Sequence, residues 1–185
     1  MENQTKNIAI LTETGFEEIE LTSPKKALEN AGFNVHVISP QSKIKSWNNG
    51  NWNMELNADK LLSDADPSEY DGLMIPGGVL NPDKLRRNEN AIDFINQFFE
   101  SGKPIASICH GPQVLIESGA LQGRRMTSFP SIKTDLKNAG VRWENREVVT
   151  DQGLVTSRNP DDLNAFNKKM IEEFREGIHT KSKTI

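Results

Sequence analysis

The residues of this chain best suited to covalent chemistry are the adjacent Cys109 and His110. They follow the apolar run Ile105–Ile108 and precede Gly111-Pro112, where a helix is predicted to begin. A tight turn from strand to helix lifts its side chain above the edge of a sheet. A helix N-terminus favours thiolate over thiol, and it can lower the pKa of a cysteine from its ordinary value of about 8.5. The turn therefore predicts a nucleophile that is substantially ionised at neutral pH, with an imidazole base beside it.

A plainer interpretation of each of these residues exists. A single cysteine is commonly a small buried apolar residue, and neighbours in sequence do not face each other along a regular helix. The Cys-His-Gly-Pro turn favours the catalytic interpretation. The other histidines compete poorly as bases, because His36 lies inside a predicted strand and His179 lies in the polar C-terminal tail. His110 is the predicted base.

Three acidic residues open the first predicted helix, at the sheet edge that also carries Cys109. Glu17 and Glu20 are three positions apart and share a helix face, whereas Glu18 points elsewhere. Carboxylates in a first turn can simply complement the helix dipole, and this remains an alternative for Glu17 and Glu18. Glu20 is the carboxyl group that we place against the thiol. Like-charge repulsion there would raise its pKa and keep it neutral as a hydrogen-bond donor.

A Pro76-Gly77-Gly78 turn follows another short apolar run, Leu73–Ile75. Glycines let the backbone approach a ligand closely, and the N–H groups of this turn, with that of His110, could hold a developing oxyanion. A plain turn is the simpler alternative. The pattern is not a dinucleotide fingerprint, which argues against a nicotinamide cofactor, and we expect no cofactor. One cysteine also supplies no cluster for structural zinc, so no metal site is expected.

Short apolar runs alternate with stretches of helical spacing, which predicts a parallel sheet with helices on both faces. The predicted strands are Ile8–Leu11, Val35–Ser39, Leu73–Ile75, Ile105–Ile108, Val141–Glu144, Glu147–Thr150 and Leu154–Ser157. The predicted helices are Glu17–Ala31, Ala91–Glu100, Gly111–Ser118, Ile132–Ala139 and Asp161–Glu176. Lys43–Leu56 predicts a hairpin added to this pattern. Ligands of such sheets bind beyond the carboxyl ends of the strands, where Cys109 and Gly77 lie.

The length and composition of the chain restrict what kind of protein it can be. A chain of 185 residues predicts one domain, with an ordered core over about 7–176 and a polar tail over 177–185. No signal peptide or membrane span is predicted, and a lone cysteine cannot form an intrachain disulfide, so we expect a cytoplasmic protein without a membrane partner. The net charge of −4 argues against a nucleic-acid partner.

Several motifs together closely resemble the PfpI-type intracellular proteases of the ThiJ/PfpI superfamily. The motifs are Gly15-Phe16-Glu17-Glu18-Ile19-Glu20, Pro76-Gly77-Gly78, Ala106-Ser107-Ile108-Cys109-His110-Gly111-Pro112-Gln113, Gly123-Arg124-Arg125-Met126-Thr127-Ser128, Asn138-Ala139-Gly140-Val141 and Thr156-Ser157-Arg158-Asn159-Pro160-Asp161-Asp162-Leu163. The resemblance spans nearly the whole chain, and the cysteine motif is its most specific part.

The resemblance implies a flavodoxin-like, doubly wound fold and a site that joins Cys109 to Glu20 and His110. It also implies a homo-oligomer, a dimer or hexamer, in which an acidic residue orients the histidine from a neighbouring subunit. Asp83 matches that position, although archetypes of the family carry glutamate there. Some relatives have a tyrosine where this chain has Phe129, which can shape a pocket but cannot transfer a proton. The expected oxyanion and substrate-binding residues are Gly77, Gly78, Glu17, Phe129 and Arg158.

Relatives in this family are described as peptidases, as cofactor-independent glyoxalases and as deglycases. A thiolate beside an acid and a histidine suits attack on either an aldehyde or an amide. We favour reactive carbonyls, because aldehydes are more electrophilic than peptides. A redox sensor or chaperone in which Cys109 is oxidised is the main alternative. A class I glutamine amidotransferase is disfavoured, because no His-x-Glu pair occurs near Asp151–Asp162.

Overall fold

The computed structural model describes residues 5–179. Its strands, β1 to β12 in chain order, are Asn7–Leu11, Phe16–Glu17, Asn34–Ser39, Lys43–Asn48, Asn51–Asn57, Lys60–Leu61, Gly72–Ile75, Ile105–Ile108, Arg125–Met126, Arg142–Trp143, Val149–Asp151 and Leu154–Ser157. Its helices, α1 to α6, are Glu18–Asn30, Leu80–Leu85, Glu89–Ser101, Pro112–Leu115, Lys133–Asn138 and Leu163–Glu176. Short 3-10 turns connect several of them.

The central sheet has seven strands in the order β11-β12-β8-β7-β1-β3-β6. All neighbours are parallel except β11 and β12, which are antiparallel. The five inner strands follow the flavodoxin-like order, in which the chain starts near the middle and winds outward in both directions. The predicted fold class is therefore confirmed.

The inner strands are buried on both faces, which is why their sequences are apolar runs without alternation. All four residues of Ile105–Ile108 and of Gly72–Ile75 are buried. Aromatic residues fill the core on both sides of the sheet. One cluster includes Tyr70, Phe94 and Phe98, and the other includes Phe16, Phe166 and Phe174. Helices therefore pack on both faces of the sheet, and this packing fixes the positions of the loops at its carboxyl edge.

Most predicted elements occur within one or two residues of their expected ends. The predicted hairpin is present as β4 and β5, and it pairs through β4 with the short strand β2. The prediction missed α2, which begins just after the Pro76-Gly77-Gly78 turn. This helix has only 6 residues, too few to show a helical period, and Pro82 in its first turn suggests a break in a helix. The predicted helix Gly111–Ser118 is shorter than expected, since it becomes a 3-10 turn at Ile116.

The first residues of the predicted polar tail, 177–179, lie within the described part of the chain, and His179 contacts the body of the protein. The backbone N–H of His179 donates to the carbonyl of Gly102 at 2.7 Å, and its ring Nε2 lies 3.2 Å from a carboxylate oxygen of Glu173. The rest of the predicted tail, 180–185, lies outside the described residues. Between residues 5 and 179, none of the helices combines the length and the apolar character needed to cross a membrane.

Candidate active site

Cys109 forms the turn between β8 and α4, with the left-handed backbone angle φ of 62°. This conformation is unfavourable for a residue with a Cβ, and it marks a position where the surrounding structure holds strain. The cysteine N–H donates to the carbonyl of Ser157 at 3.0 Å, which ties the turn to the neighbouring strand β12. The side chain is thus fixed at the carboxyl edge of the sheet, with only 7% of its surface exposed.

His110 is held on three sides. Its Nδ1 lies 3.2 Å from the Cys109 Sγ, and its Nε2 lies 2.9 Å from the Oγ of Ser131. Its ring also stacks on Phe129, with 4.6 Å between ring centroids. Burial lowers the pKa of His110. The ring is therefore neutral at pH 7, with a nitrogen directed at the sulfur, which is the state that a base requires.

Glu20, from the first turns of α1, is fully buried beside Cys109. Its Oε2 accepts a hydrogen bond from the N–H of Gly77 at 3.0 Å. Burial raises the pKa of Glu20 to about 8, although interaction with the Cys109 side chain opposes that rise. Its Oε1 has no hydrogen bond of regular geometry to any described residue. Glu20 is therefore protonated at pH 7, and its carboxyl group interacts with the Cys109 side chain.

The Gly77-Gly78 turn closes over both of these groups. A Cβ on Gly77 would lie 2.7 Å from the Cys109 Cβ and would collide with the Glu20 carboxyl group. Since the N–H of Gly77 is occupied by Glu20, it does not serve as the oxyanion donor that the sequence suggested. The N–H groups of Gly78 and His110 are instead directed at the Cys109 sulfur. These two donors remain available beside the nucleophile.

The electrostatics of the thiol differ from the sequence-based expectation. Burial raises the pKa of the Cys109 thiol, and negative charge on Glu20 raises it further, whereas the N–H groups of Gly78 and His110 lower it. The helix that was expected to favour thiolate has only four residues, so its dipole is small. A thiol largely ionised at neutral pH is therefore not supported. Of the two groups, Glu20 loses its proton first, at about pH 8, and the thiol of Cys109 keeps its proton to higher pH.

We predict that alkylation of Cys109 by iodoacetamide rises with pH around a midpoint above the ordinary thiol value of about 8.5, because burial raises the pKa of this thiol. The Glu20→Gln variant should show a lower midpoint, because Glu20 is negatively charged above about pH 8 and that charge raises the pKa of the thiol. Labelling rates measured across the alkaline pH range test this. A midpoint that is unchanged or higher in the variant would show that the charge of Glu20 does not act on the sulfur.

The thiol opens into a cleft of about 680 Å³. Its lining is mostly apolar and consists of Gly15, Glu17, Glu20, Trp47, Gly78, Val79, Leu80, Cys109, His110, Phe129 and Pro160. Among the described residues that line the cleft, two are acidic and none is a lysine or an arginine. Partial burial raises the pKa of Glu17, and the nearby charge of Glu18 adds to the effect. The cleft suits an uncharged or cationic substrate better than an anionic one.

Two of the predicted residues, Arg158 and Asp83, do not line the cleft. Arg158 is absent from the cleft lining, because its guanidinium pairs with Asp162 at 2.9 Å and donates to Asn145. Its spacing from Asp162, four residues, could have revealed this ion pair in the sequence. Asp83 is exposed on α2, and within this chain it makes no hydrogen bond to His110. The sequence analysis also missed Ser131, an exposed serine that carries no signal of its own.

Glu18 has a structural function that the sequence did not suggest. Its carboxylate accepts hydrogen bonds from the Ser46 hydroxyl, the Asn48 and Asn53 amides and the Met54 N–H. These bonds, the strongest of which is that from Ser46, lower the pKa of Glu18. They fix the β4–β5 hairpin against α1, and with it the pocket residue Trp47. Glu18 is thus not the indifferent residue that the helix-dipole interpretation implied.

Comparisons with known proteins show that most of this chain is similar to members of one family. A model of the DJ-1/PfpI family matches residues 6–173. The protein named "Putative cysteine protease YraA" of Bacillus subtilis is 44% identical over 167 residues, which cover 90% of this chain and 97% of that protein. The protein named "Deglycase TK1284" of Thermococcus kodakarensis is 42% identical over 169 residues, which cover 91% of this chain and 99% of that one.

A solved structure supports the same relationship. It is a two-domain protein of Anabaena variabilis with DJ-1/ThiJ/PfpI-like and ferritin-like domains. The similarity has a TM-score of 0.87 and 38% sequence identity, and it covers 92% of this chain. This chain spans 48% of that longer protein.

Proposed function

This chain belongs to the DJ-1/PfpI family, and from that premise we propose that it is a cysteine-dependent enzyme that acts on reactive carbonyls. The observation that carries the proposal is the arrangement around one sulfur. A neutral imidazole nitrogen lies 3.2 Å from the Cys109 Sγ, a buried carboxyl group interacts with it, and two backbone N–H groups point at it. Those parts provide a nucleophile, a base, an acid and oxyanion donors.

An α-oxoaldehyde such as methylglyoxal fits these parts through a balanced sequence of steps. The sulfur of Cys109 adds to the aldehyde carbon, Glu20 gives its proton to the resulting oxyanion, and the thiol hydrogen passes to Glu20 and restores it. His110 then takes the hydrogen from that carbon as a proton, while Glu20 protonates the oxygen of the neighbouring ketone, which gives an enediol. His110 returns its proton to the former ketone carbon, and the hydroxyl on the carbon that carries sulfur returns its proton to Glu20, which leaves a thioester of lactate. Water cleaves the thioester, releases the acid and restores the thiol. The net reaction adds one water to the substrate and needs no redox cofactor.

The substrate class can be tested with three compounds at equal enzyme concentration. These are methylglyoxal, an N-acetylarginine adduct of methylglyoxal as a glycation product, and a chromogenic peptide. We expect turnover of the first two to exceed that of the peptide. Preferential cleavage of the peptide would favour the protease alternative. If none is turned over and Cys109 instead consumes peroxide stoichiometrically, the redox-sensor alternative replaces the enzyme.

The apolar lining of the cleft indicates which substrates the enzyme should prefer. Trp47 and Phe129 are aromatic walls of the cleft, and no cationic group in its lining can pair with a carboxylate. We therefore predict a higher kcat/KM for phenylglyoxal than for the anionic glyoxylate. Trp47→Ala should reduce kcat/KM for phenylglyoxal about tenfold, since an aromatic contact is lost, and should reduce that for methylglyoxal much less. An equal loss for both substrates would show that Trp47 only supports the hairpin.

We also propose a homo-oligomer in the cytoplasm, with a dimer as its minimum. Two residues of the cleft lining, Val79 and Leu80, have exposed apolar side chains, with Val79 65% exposed. Contiguous exposed apolar surface commonly marks a protein interface. Asp83 lies on the same short helix as Leu80, so a second copy seated there would bring carboxylates close to the cleft.

Dilution tests the assembly. If the oligomer completes the site, specific activity should fall as the protein is diluted below its dissociation constant. Sedimentation velocity at the same concentrations would relate each activity to its oligomeric state. A fully active monomer would remove any contribution of a second copy from the mechanism.

A further inference from the structure

We propose that Ser131 orients the catalytic imidazole, by accepting the Nε2 hydrogen of His110 and thereby leaving the lone pair of Nδ1 directed at Cys109. This inference rests on the proposed function of His110 as the base. The proposal is based on two distances in the same ring: His110 Nε2 lies 2.9 Å from the Ser131 Oγ, and Nδ1 lies 3.2 Å from the sulfur of Cys109. Ser131 is a positioning residue here, because it contacts the base and not the substrate.

A neutral imidazole carries a single N–H hydrogen, so the two ring contacts cannot both be donations from the ring. The proposed function of His110 decides between them. A base needs a lone pair on the nitrogen that faces the reacting groups, and Nδ1 is the ring nitrogen that lies 3.2 Å from the sulfur. This places the ring hydrogen on Nε2, facing the Ser131 hydroxyl at 2.9 Å.

The chain positions Ser131 through its backbone. Phe129 donates its N–H to the carbonyl of Cys109 at 2.9 Å, and Pro130 then starts a 3-10 turn that contains Ser131. The same short segment therefore supplies both the aromatic face under His110 and the hydroxyl at its Nε2. Two contacts from one rigid segment fix both the plane and the rotation of the ring.

This arrangement changes what Asp83 of a second copy could do. The resemblance predicted that an acidic residue from a neighbouring subunit would orient the histidine. With Ser131 at Nε2, that position is filled from within the chain. Orientation of His110 by Ser131 and orientation by Asp83 of a second copy are therefore alternatives, and single substitutions at the two positions distinguish between them.

The test is the tautomeric state of His110, measured by ¹⁵N NMR of the ring in the full-length protein near pH 7.5. The chain has three histidines, so His36→Asn and His179→Asn variants identify the His110 signals. We expect the Nε2–H form to dominate in the wild type, to become mixed in Ser131→Ala and to be restored in Ser131→Thr. Asp83→Asn should leave it unchanged, and the His36 signal should not move in Ser131→Ala.

Turnover of methylglyoxal provides the second measurement. Loss of one exposed hydrogen bond should lower kcat about fivefold in Ser131→Ala with little change in KM, and Ser131→Thr should recover most of it. An unchanged tautomer in Ser131→Ala, a shift in Asp83→Asn instead, or an Nδ1–H form in the wild type would each overturn the proposal. The NMR result is independent of turnover, so it tests Ser131 even if the proposed substrate class fails.

Discussion

Glu20→Gln is expected to lower turnover at least about a hundredfold while making the folded protein more stable at neutral pH. Glutamine preserves the shape of the side chain, and its amide oxygen can still accept from the N–H of Gly77. It cannot return a proton to the substrate oxygen, and loss of a positioned acid typically costs two to four orders of magnitude. The rate should be corrected for the content of labelled thiol.

The gain in stability follows from the titration of Glu20. Its pKa is about 8 in the folded protein, against 4.5 as the ordinary value of the carboxyl group. Below pH 4.5 both states hold the proton, and Glu20 then contributes no penalty. As the pH rises toward 8, the unfolded state alone loses its proton, so the folded state loses stability. The cost reaches about 3 kcal/mol at pH 7, and glutamine removes it.

Urea denaturation at pH 4 and pH 7.5 measures this difference. The variant should gain stability relative to the wild type between these two values. A difference in the free energy of unfolding that does not change with pH would show that Glu20 is charged in the folded state. Glu29→Gln is the matched control, because Glu29 lies on the same helix, is exposed and pairs with Lys25 of that helix. Glu18→Gln is unsuitable, since it would loosen the hairpin.

Gly77→Ala is expected to abolish most turnover and also to destabilise the fold by about 1–3 kcal/mol, the usual cost of overpacking. The new methyl group would lie 2.7 Å from the Cys109 Cβ and 2.8 Å from the carbonyl oxygen of Ile108, and it would collide with the Glu20 carboxyl group. Neither the Ile108 backbone nor Cys109 can move away easily, so Cys109, His110 and Glu20 would be pushed apart.

Gly72→Ala is the control for this substitution. Gly72 is also buried and also lies outside the left-handed region, but its Cβ would meet side-chain atoms of Phe174 and Ile8 at 3.1 and 3.2 Å, remote from the thiol. It should cost some stability and leave the turnover of the folded protein intact. Equal turnover in the two variants, after correction for the folded fraction, would show that Gly77 does not hold the site together.

The sequence was informative where local pattern decides the structure. Apolar runs buried on both faces predicted the inner strands, and the Cys-His-Gly-Pro turn predicted the position of the nucleophile. Glu20 could be placed beside Cys109 because two loops at the carboxyl edge of one sheet must meet. The antiparallel edge strand Val149–Asp151 was located within two residues, but its direction depends on pairing that no local pattern encodes.

The remaining features depend on contacts between distant segments. Ser131 lies 21 residues after His110 and is an exposed serine in a short turn, so its sequence gives no indication that it contacts the imidazole. The pKa of Cys109 depends on how deeply the turn is buried, and burial outweighs the effect of a four-residue helix. The Glu18 network likewise depends on the packing of a hairpin 28 to 36 residues away.

The most direct test of the account is the initial rate of lactate formation from methylglyoxal, measured for the wild type and for Cys109→Ser at equal folded concentration and pH 8. Serine keeps nearly the same size, but its hydroxyl is far less acidic than a thiol and a much weaker nucleophile. The account predicts that the wild type forms lactate catalytically and that Cys109→Ser forms none above the uncatalysed rate. Equal rates for the two proteins would contradict a mechanism based on Cys109.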